Sequence, residues 1–238
     1  MPTNLAKSNH IPNTVLRACF LLFLFFLLPF IGHAQKETET LRWGVQLGYG
    51  TQQTKPFNLP DYFYEQGTVV GHIEVMKIHY KKIAFCLLAE VGYFKSTHQL
   101  LNKWFTTTTY FKHFPVDFQQ NMMKKKDIHQ VAFHIATEAS YPICPKTRLF
   151  AYAALGPMWV SQETERLAQG FAFSDNIGLG IAIKLSKNTW LSNALAIRHE
   201  SNLDLKFPNS GHNTLGVRMG IVFNLTAPQK ALAPLSTH

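Results

Sequence analysis

The residues best suited to chemistry are a histidine and a serine near the end of the chain. His199 and Ser201 lie two residues apart in the run RHESN at 198–202. Side chains alternate between the two faces of a β-strand, so on a strand these two side chains share one face. An imidazole base beside a hydroxyl is the minimum requirement for nucleophilic acyl transfer. The pair therefore predicts an acyl-transfer site.

A second polar run supplies a third member for this site. Residues 207–213 have the sequence FPNSGHN. Asn213 is in phase with Leu215 and Val217 on the next predicted strand, so it shares their face. An asparagine can orient a histidine, as in Cys-His-Asn proteases, but it brings no negative charge. We therefore expect Asn213 to be the third member, with weaker activation of the serine than an acid would give.

Asp175 is an alternative acid on the strand before the histidine. It is in phase with Phe173 and Ile177, which directs it to the same face as His199 if the register is correct. A shift of one residue would turn it to the opposite face, so both placements stay open. Glu200 is out of phase with His199 and is a poor third member.

Strands must position these residues, because period-two alternation dominates the chain after residue 35. Each predicted strand has about ten or more residues, the length that a tilted strand needs to cross a bilayer. The count is even, as in bacterial outer-membrane barrels. The eight predicted strands lie near 41–50, 68–79, 83–95, 128–141, 148–159, 171–185, 189–201 and 214–225.

The two faces of these strands differ in a way that favours a membrane barrel. One face is large and apolar, and the other is glycine, alanine, serine and charge. A small membrane barrel directs its small and polar face inward and its apolar face to lipid. Charges of both signs on the inner face could then pair. These charges are Arg42, Glu74, Glu90, Glu138, Lys184, Arg198, Glu200 and Arg218.

The connections alternate between short and long, as periplasmic turns and extracellular loops do. Short connections are predicted near 79–82, 142–147 and 186–188, and long ones at 51–67, 96–127, 159–170 and 202–212. This topology places the end of the seventh strand at the outer leaflet. His199 and Ser201 would then face lipid at the level of the headgroups. Polar side chains that face lipid are unfavourable, so their presence indicates a function.

The N-terminus has the pattern of a secretory signal. Basic Lys7 and Arg17 precede an uncharged apolar run at 18–31, and the small residues of GHA at 32–34 form a cleavage site. The run is too short for a spanning helix of about 20 residues. The predicted organisation is a signal peptide at 1–34, a transmembrane β-barrel at 35–225 and a periplasmic tail at 226–238.

Charge and composition narrow the partners. Removal of the signal takes away Lys7 and Arg17 and lowers the formal net charge from +9 to +7. A basic chain suits an anionic partner, either nucleic acid or a phosphorylated lipid surface, and export argues against nucleic acid. The sequence leaves open whether Cys86 and Cys144 are bonded. No metal-ligand spacing is present, so we expect neither a metal nor a cofactor.

These runs resemble the lipid A 3-O-deacylases of the PagL type. Their mark is His-x-Ser-Asn, then a Pro-Asn-x-Gly turn, then the acid of a Ser-His-Glu triad, which correspond here to residues 199–202, 208–211 and Asn213. The resemblance implies an eight-stranded barrel in the bacterial outer membrane that removes an ester-linked acyl chain from lipid A of lipopolysaccharide. It also implies that Asn209 helps to hold the oxyanion.

Two departures from that pattern keep alternatives open. Asn213 stands where the family has Glu, and Leu203-Asp204 replaces a small glycine after the Ser-Asn pair. The first alternative is a non-catalytic outer-membrane barrel with a structural or lipid-binding role. The second is a soluble, lipocalin-like carrier. A homodimer is compatible with the sequence.

Overall fold

The protein is a closed barrel of eight antiparallel strands. The computed structural model describes residues 40–105 and 116–226. Each strand pairs with the next, and β1 closes the ring by pairing with β8. The strands are β1 (Thr40–Thr51), β2 (Tyr62–Tyr80), β3 (Ile83–Leu100), β4 (Lys126–Cys144), β5 (Thr147–Val160), β6 (Gly170–Lys184), β7 (Thr189–Ser201) and β8 (His212–Thr226). The predicted eight-stranded antiparallel barrel is confirmed.

Three strands are longer than predicted. β2 begins at Tyr62, β3 continues to Leu100, and β4 begins at Lys126. The added segments are YFYEQG at 62–67, STHQL at 96–100 and KD at 126–127. They lack the regular alternation of apolar and polar residues that indicates a strand. The alternation of short and long connections is nevertheless confirmed, with short turns at 81–82, 145–146 and 185–188 and longer loops at 52–61, 101–125, 161–169 and 202–211.

The loop between β3 and β4 contains helical structure in its described part. A 3₁₀ turn lies at Lys103–Phe105, and helix α1 covers Val116–Met123. No helix among residues 40–105 and 116–226 is long and apolar enough to cross a membrane.

Large apolar side chains cover the outside of the barrel. Leu47, Ile135 and Leu179 are 61%, 66% and 70% exposed, and they belong to three different strands. A continuous apolar exterior of this kind is stable only against lipid, because soluble proteins rarely expose contiguous apolar patches of more than a few hundred Å².

Glycines on the inner face make room for rings that fill the narrow interior. A Cβ atom at Gly178 would lie 2.3 Å from Cε1 of Tyr152, and one at Gly180 would lie 2.3 Å from Cζ of Phe150. An eight-stranded barrel is just wide enough for side chains to fill it. The small residues predicted on the inner face are therefore part of the packing.

The interior also holds large apolar side chains, which the strand pattern did not predict. A buried cluster inside the barrel includes Val70, Phe94 and Met158, together with Leu167 from the β5–β6 loop. The Arg198 guanidinium carbon lies 3.6 Å from the centroid of the Phe94 ring. The inner face is therefore mixed, because charge alone could not fill the barrel without leaving unpaired buried groups.

Three of the inner-face charges pair around Arg42, as predicted. Arg42 Nη2 lies 2.9 Å from Glu138 Oε2, and Arg42 Nη1 lies 3.5 Å from Glu74 Oε2. All three side chains are buried. One arginine thus pairs with two carboxylates contributed by two other strands.

Some predictions fall outside the described residues. The signal peptide at 1–34 and the tail lie there, except that Thr226 ends β8 and does not begin the tail. The two described cysteines are free, with Cys86 buried and Cys144 exposed.

The buried ion pair predicts a large loss of stability when it is broken. Arg42→Met would leave Glu74 and Glu138 buried without their cation, which costs about 3–5 kcal/mol. Urea unfolding of the protein refolded in detergent micelles would measure this loss. Lys95→Met is the matched control, because Lys95 Nζ also lies 2.9 Å from a carboxylate, that of Asp127, but at the surface. Equal, small effects from both variants would show that the interior does not need this pairing.

Candidate active site

Buried hydrogen bonds anchor the end of β7 to the barrel interior. Glu200 is 1% exposed. Its carboxylate accepts hydrogen bonds from Tyr64 Oη at 3.0 Å, Gln66 Nε2 at 2.9 Å and Gln130 Nε2 at 2.7 Å, and it pairs with Arg198. The donors come from β2, β4 and β7. A carboxylate with this many partners fixes the direction in which residue 200 points.

Because Arg198 and Glu200 point inward, His199 and Ser201 point outward. His199 is half-buried and Ser201 is 7% exposed. Residues two apart on a strand have Cα atoms roughly 6.5–7 Å apart. The hydrogen bond of the His199 ring in the described part of the chain goes to Asn213 and not to Ser201. Catalytic contacts are often long before substrate binds, so the pair remains suitable for proton transfer.

Asn213 holds the His199 ring in a defined state. The two residues are direct partners across β7 and β8, and His199 Nδ1 lies 2.8 Å from Asn213 Oδ1. An amide oxygen can only accept, so Nδ1 carries a proton, and in the neutral ring Nε2 keeps its lone pair. This is the tautomer that a histidine base needs when it acts through Nε2. The predicted association of His199 with Asn213 is present.

Asp175 lies on the other side of His199. The two residues are direct partners across β6 and β7, and Asp175 is half-buried. The register error that would have turned Asp175 inward is absent. His199 therefore has an amide on one neighbouring strand and a carboxylate on the other.

The loop after Ser201 takes a shape that usually needs glycine. Leu203 and Asp204 have φ values of 54° and 62°, in the left-handed region that glycine adopts most easily. These two residues replace the glycine of the PagL-type pattern. The chain keeps the left-handed turn without the glycine, at the cost of some backbone strain.

Hydrogen bonds to both the oxygen and the nitrogen of its side-chain amide hold Asn209 in place. Its Oδ1 accepts the backbone N–H of Asn202 at 2.7 Å, and its Nδ2 donates to Asp204 Oδ1 at 2.9 Å. Asn202 is fully buried, and its own Nδ2 donates to the carbonyl of Lys206 at 2.5 Å. The loop is thus a small closed structure directly beside Ser201.

Gly211 ends this loop where no other residue fits. Its φ is +68°, and a Cβ atom there would lie 2.2 Å from the Glu200 carbonyl oxygen and 3.1 Å from His199 Cε1. Both the backbone conformation and the lack of space require glycine. The predicted Pro-Asn-x-Gly turn therefore packs directly against the histidine.

Arg166 clamps the same turn from the β5–β6 loop, and the sequence did not reveal this. Its Nε donates to the Gly211 carbonyl at 2.6 Å and its Nη2 donates to the Ser210 carbonyl at 3.2 Å. The Arg166 carbonyl in turn accepts the backbone N–H groups of Ser210 and Gly211 at 2.7 and 2.9 Å. A lone arginine in a predicted loop carries no signal of such a contact.

His212 anchors the start of β8 inside the barrel. It is 1% exposed, its ring stacks on Tyr64 with centroids 4.1 Å apart, and its Nε2 lies 2.9 Å from Thr164 Oγ1. Because His212 points inward, Asn213 must point outward. Among residues 40–105 and 116–226, no three His, Cys, Asp or Glu side chains lie close enough to hold a metal ion.

The packing at Gly211 predicts a local and specific loss. Gly211→Ala would force a left-handed alanine against the Glu200 carbonyl, which costs at least about 1 kcal/mol. Urea unfolding would measure it. Gly67→Ala is the matched control, since a Cβ atom at Gly67 would have nothing within 4 Å. If both variants unfold alike, the turn is not packed as described.

Comparison with known proteins gives one family. The model of the lipid A 3-O-deacylase (PagL) family matches residues 89–222. The chain is similar to the crystal structure of the outer membrane enzyme PagL, with 15% identity, a TM-score of 0.52 and coverage of 74% of this chain and 97% of that one. It is also similar to the outer membrane protein OprG from Pseudomonas aeruginosa, with 9% identity, a TM-score of 0.43 and coverage of 82% and 99%. No curated protein matches the chain.

The matched region includes β4 to β7 entirely and the site residues at 175 and 199–213. Family and fold assign the protein to the bacterial outer membrane, which rules out the soluble carrier. Because the family model covers more than half of its length, the chain belongs to the lipid A 3-O-deacylase (PagL) family.

Proposed function

We propose that this protein is a serine esterase that removes an ester-linked acyl chain from lipid A in the outer leaflet. The observation that carries the proposal is the 2.8 Å hydrogen bond between His199 Nδ1 and Asn213 Oδ1. It leaves the basic Nε2 free on the strand face that also bears Ser201. Family membership supports the lipid A deacylase class.

The proposed reaction follows the usual two steps of serine esterolysis. His199 Nε2 takes the proton of Ser201, and Ser201 Oγ attacks the ester carbonyl. The imidazolium then gives this proton to the sugar oxygen as the ester bond breaks. Water hydrolyses the acyl-enzyme with His199 again as the base, which releases the fatty acid and restores Ser201.

Asn209 is proposed to stabilise the oxyanion. Its amide nitrogen has two N–H bonds, and Asp204 accepts only one of them. The second can donate to a negative oxygen beside Ser201. Because Asn202 and Asp204 already hold the amide, it would need little reorganisation during the reaction.

The location of the site suits a lipid substrate. His199 and Ser201 face outward at the end of a strand that leads into the loop at 202–211. The predicted topology places this loop outside the cell. An ester bond at the headgroup level of the outer leaflet would lie beside them. A basic chain, with a formal net charge of +9 for the full sequence, suits the phosphates of lipid A.

A second candidate is a non-catalytic barrel that kept the family fold. The observation that favours it is Asn213, which gives His199 direction without charge. Such a protein would bind lipid through the same face and would release no fatty acid.

Mass spectra of lipid A test the proposal directly. We expect lipid A from a Gram-negative host that expresses the protein to lose the mass of one hydroxyacyl chain. Ser201→Ala should abolish this loss, because the nucleophile is gone. Ser186→Ala, in the β6–β7 turn at the end of the barrel opposite Ser201, is the matched control and should behave as the parent.

The same experiment separates the two candidates. Heat-modifiable migration in gels would show that every variant is folded in the outer membrane. Unchanged lipid A with folded parent protein would reject the deacylase and leave the non-catalytic barrel. Loss of the acyl chain with Ser201→Ala as well would reject Ser201 as the nucleophile.

The clamp on the turn predicts a second effect on activity. Arg166→Ala removes two hydrogen bonds to the turn that carries Asn209 and packs on His199. We expect deacylation to slow about 10- to 100-fold, because small misplacements of reacting groups are costly. Arg166→Lys should not restore it, since an ammonium cannot reproduce both contacts of the planar fork. Lys187→Ala, in the β6–β7 turn at the opposite end of the barrel, removes the same charge and is the control. A normal rate for Arg166→Ala would show that the turn holds without its clamp.

A further inference from the structure

His199 lacks a negative partner on the β8 side. Asn213 occupies the position where the family has an acid, and its amide is neutral. The imidazolium that forms when His199 takes the serine proton needs charge compensation, above all where water is scarce. The inference that follows rests on the esterase function proposed above and concerns the source of this charge.

Asp175 lies opposite His199 on the other neighbouring strand. The two are direct partners in the antiparallel register of β6 and β7, and both face outward. Cβ atoms of such pairs are about 4.5–5.5 Å apart, a distance at which opposite charges interact. Asn213 is the direct partner of His199 on β8. The ring of His199 therefore lies between an amide and a carboxylate.

The surroundings of Asp175 leave it one ionisable neighbour on its own face. Phe173 and Ile177 flank it on β6, and Leu155 opposes it on β5. Arg198 and His134 act on it electrostatically, but both are buried in the barrel interior. No hydrogen bond engages the Asp175 carboxylate among the described residues.

The carboxylate of Asp175 on the outward face of β6 is unfavourable for the fold unless a cation compensates its charge. Charged groups on the lipid face of a barrel are destabilising, and polar groups at this position are usually paired or functional. An apolar residue would serve the fold better at position 175. Pairing with a cation at position 199 accounts for the aspartate.

We propose that Asp175 supplies the negative charge for His199 while Asn213 supplies its orientation. Residues on two strands then supply the charge and the orientation that a single acid supplies in a Ser-His-Glu triad. Asp175 takes no proton and forms no bond to substrate. It acts through His199 by stabilising the imidazolium as Ser201 attacks.

The test compares the effect of one substitution, Asp175→Asn, in two versions of the protein that differ only at position 213. Asp175→Asn is made in the native chain and in Asn213→Glu, which restores an acid on β8. The readout is the rate at which an alkyl fluorophosphonate labels Ser201 in the protein refolded in micelles. In the native chain we expect Asp175→Asn to slow labelling on the order of 100-fold. In the Asn213→Glu background we expect less than about a threefold effect, because the charge is already present.

Two further measurements separate charge from structure. With lipid A as substrate, Asp175→Asn should lower kcat and leave KM nearly unchanged. Asp175→Glu should keep much more activity than Asp175→Asn, because it keeps the charge. Asp127→Asn makes the same chemical change at an exposed ion pair with Lys95 and should leave labelling unchanged.

Each other outcome overturns a specific statement. An equal loss in both backgrounds, or no loss in either, overturns the role of Asp175. If Asn213→Glu is labelled and the native chain is not, the role of Asp175 is also overturned. This outcome would still support Ser201 and His199 as nucleophile and base. Labelling of Ser201 without any change in lipid A rejects the proposed substrate and leaves the role of Asp175 intact. No labelling in either background rejects the esterase and the inference together.

Discussion

Glu200 lies inside the barrel, where three neutral donors and the Arg198 guanidinium satisfy its carboxylate. Removing this carboxylate from its partners would leave several buried polar groups unsatisfied, so residue 200 has a single favourable direction. Period-two alternation then directs His199 and Ser201 to the outside. A slip of one residue in β7 would bury the base and the hydroxyl and expose the ion pair to lipid. The outward site thus depends on an inward network.

The same principle governs the rest of the site. His212 is held inside by Tyr64 and Thr164, which turns Asn213 outward toward the histidine. Between the two strands, the turn at 208–211 is fitted to the backbone of Glu200 through Gly211 and tied to the neighbouring loop through Arg166. Each of these outward-facing polar side chains is next to a residue that is held inside the barrel. If that residue turned outward, its buried hydrogen bonds and packing would be lost.

The chemistry at His199 shows how a barrel can distribute functions over strands. A strand residue has two direct partners, one on each side, and His199 has Asn213 on β8 and Asp175 on β6. Hydrogen bonding needs contact and direction, so it depends on the partner that touches the ring. Charge stabilisation acts through space and tolerates a partner that makes no hydrogen bond. Orientation and charge can therefore come from different strands.

The alternation of apolar and polar residues was enough to predict the eight-stranded barrel and its short and long connections. The spacing of His199 and Ser201 was enough to predict their shared face. These features could be predicted because period-two alternation is a local property of the chain. Three features could not be predicted, namely the strand ends that lack hydrophobic alternation, the large apolar side chains inside the barrel and the clamp by Arg166. They depend on which residues meet after closure, between segments such as 161–169 and 202–211 that are separated in sequence. The register of Asp175 was also undecided, since a single residue of slip reverses its face, and only the pairing of β6 with β7 resolved it.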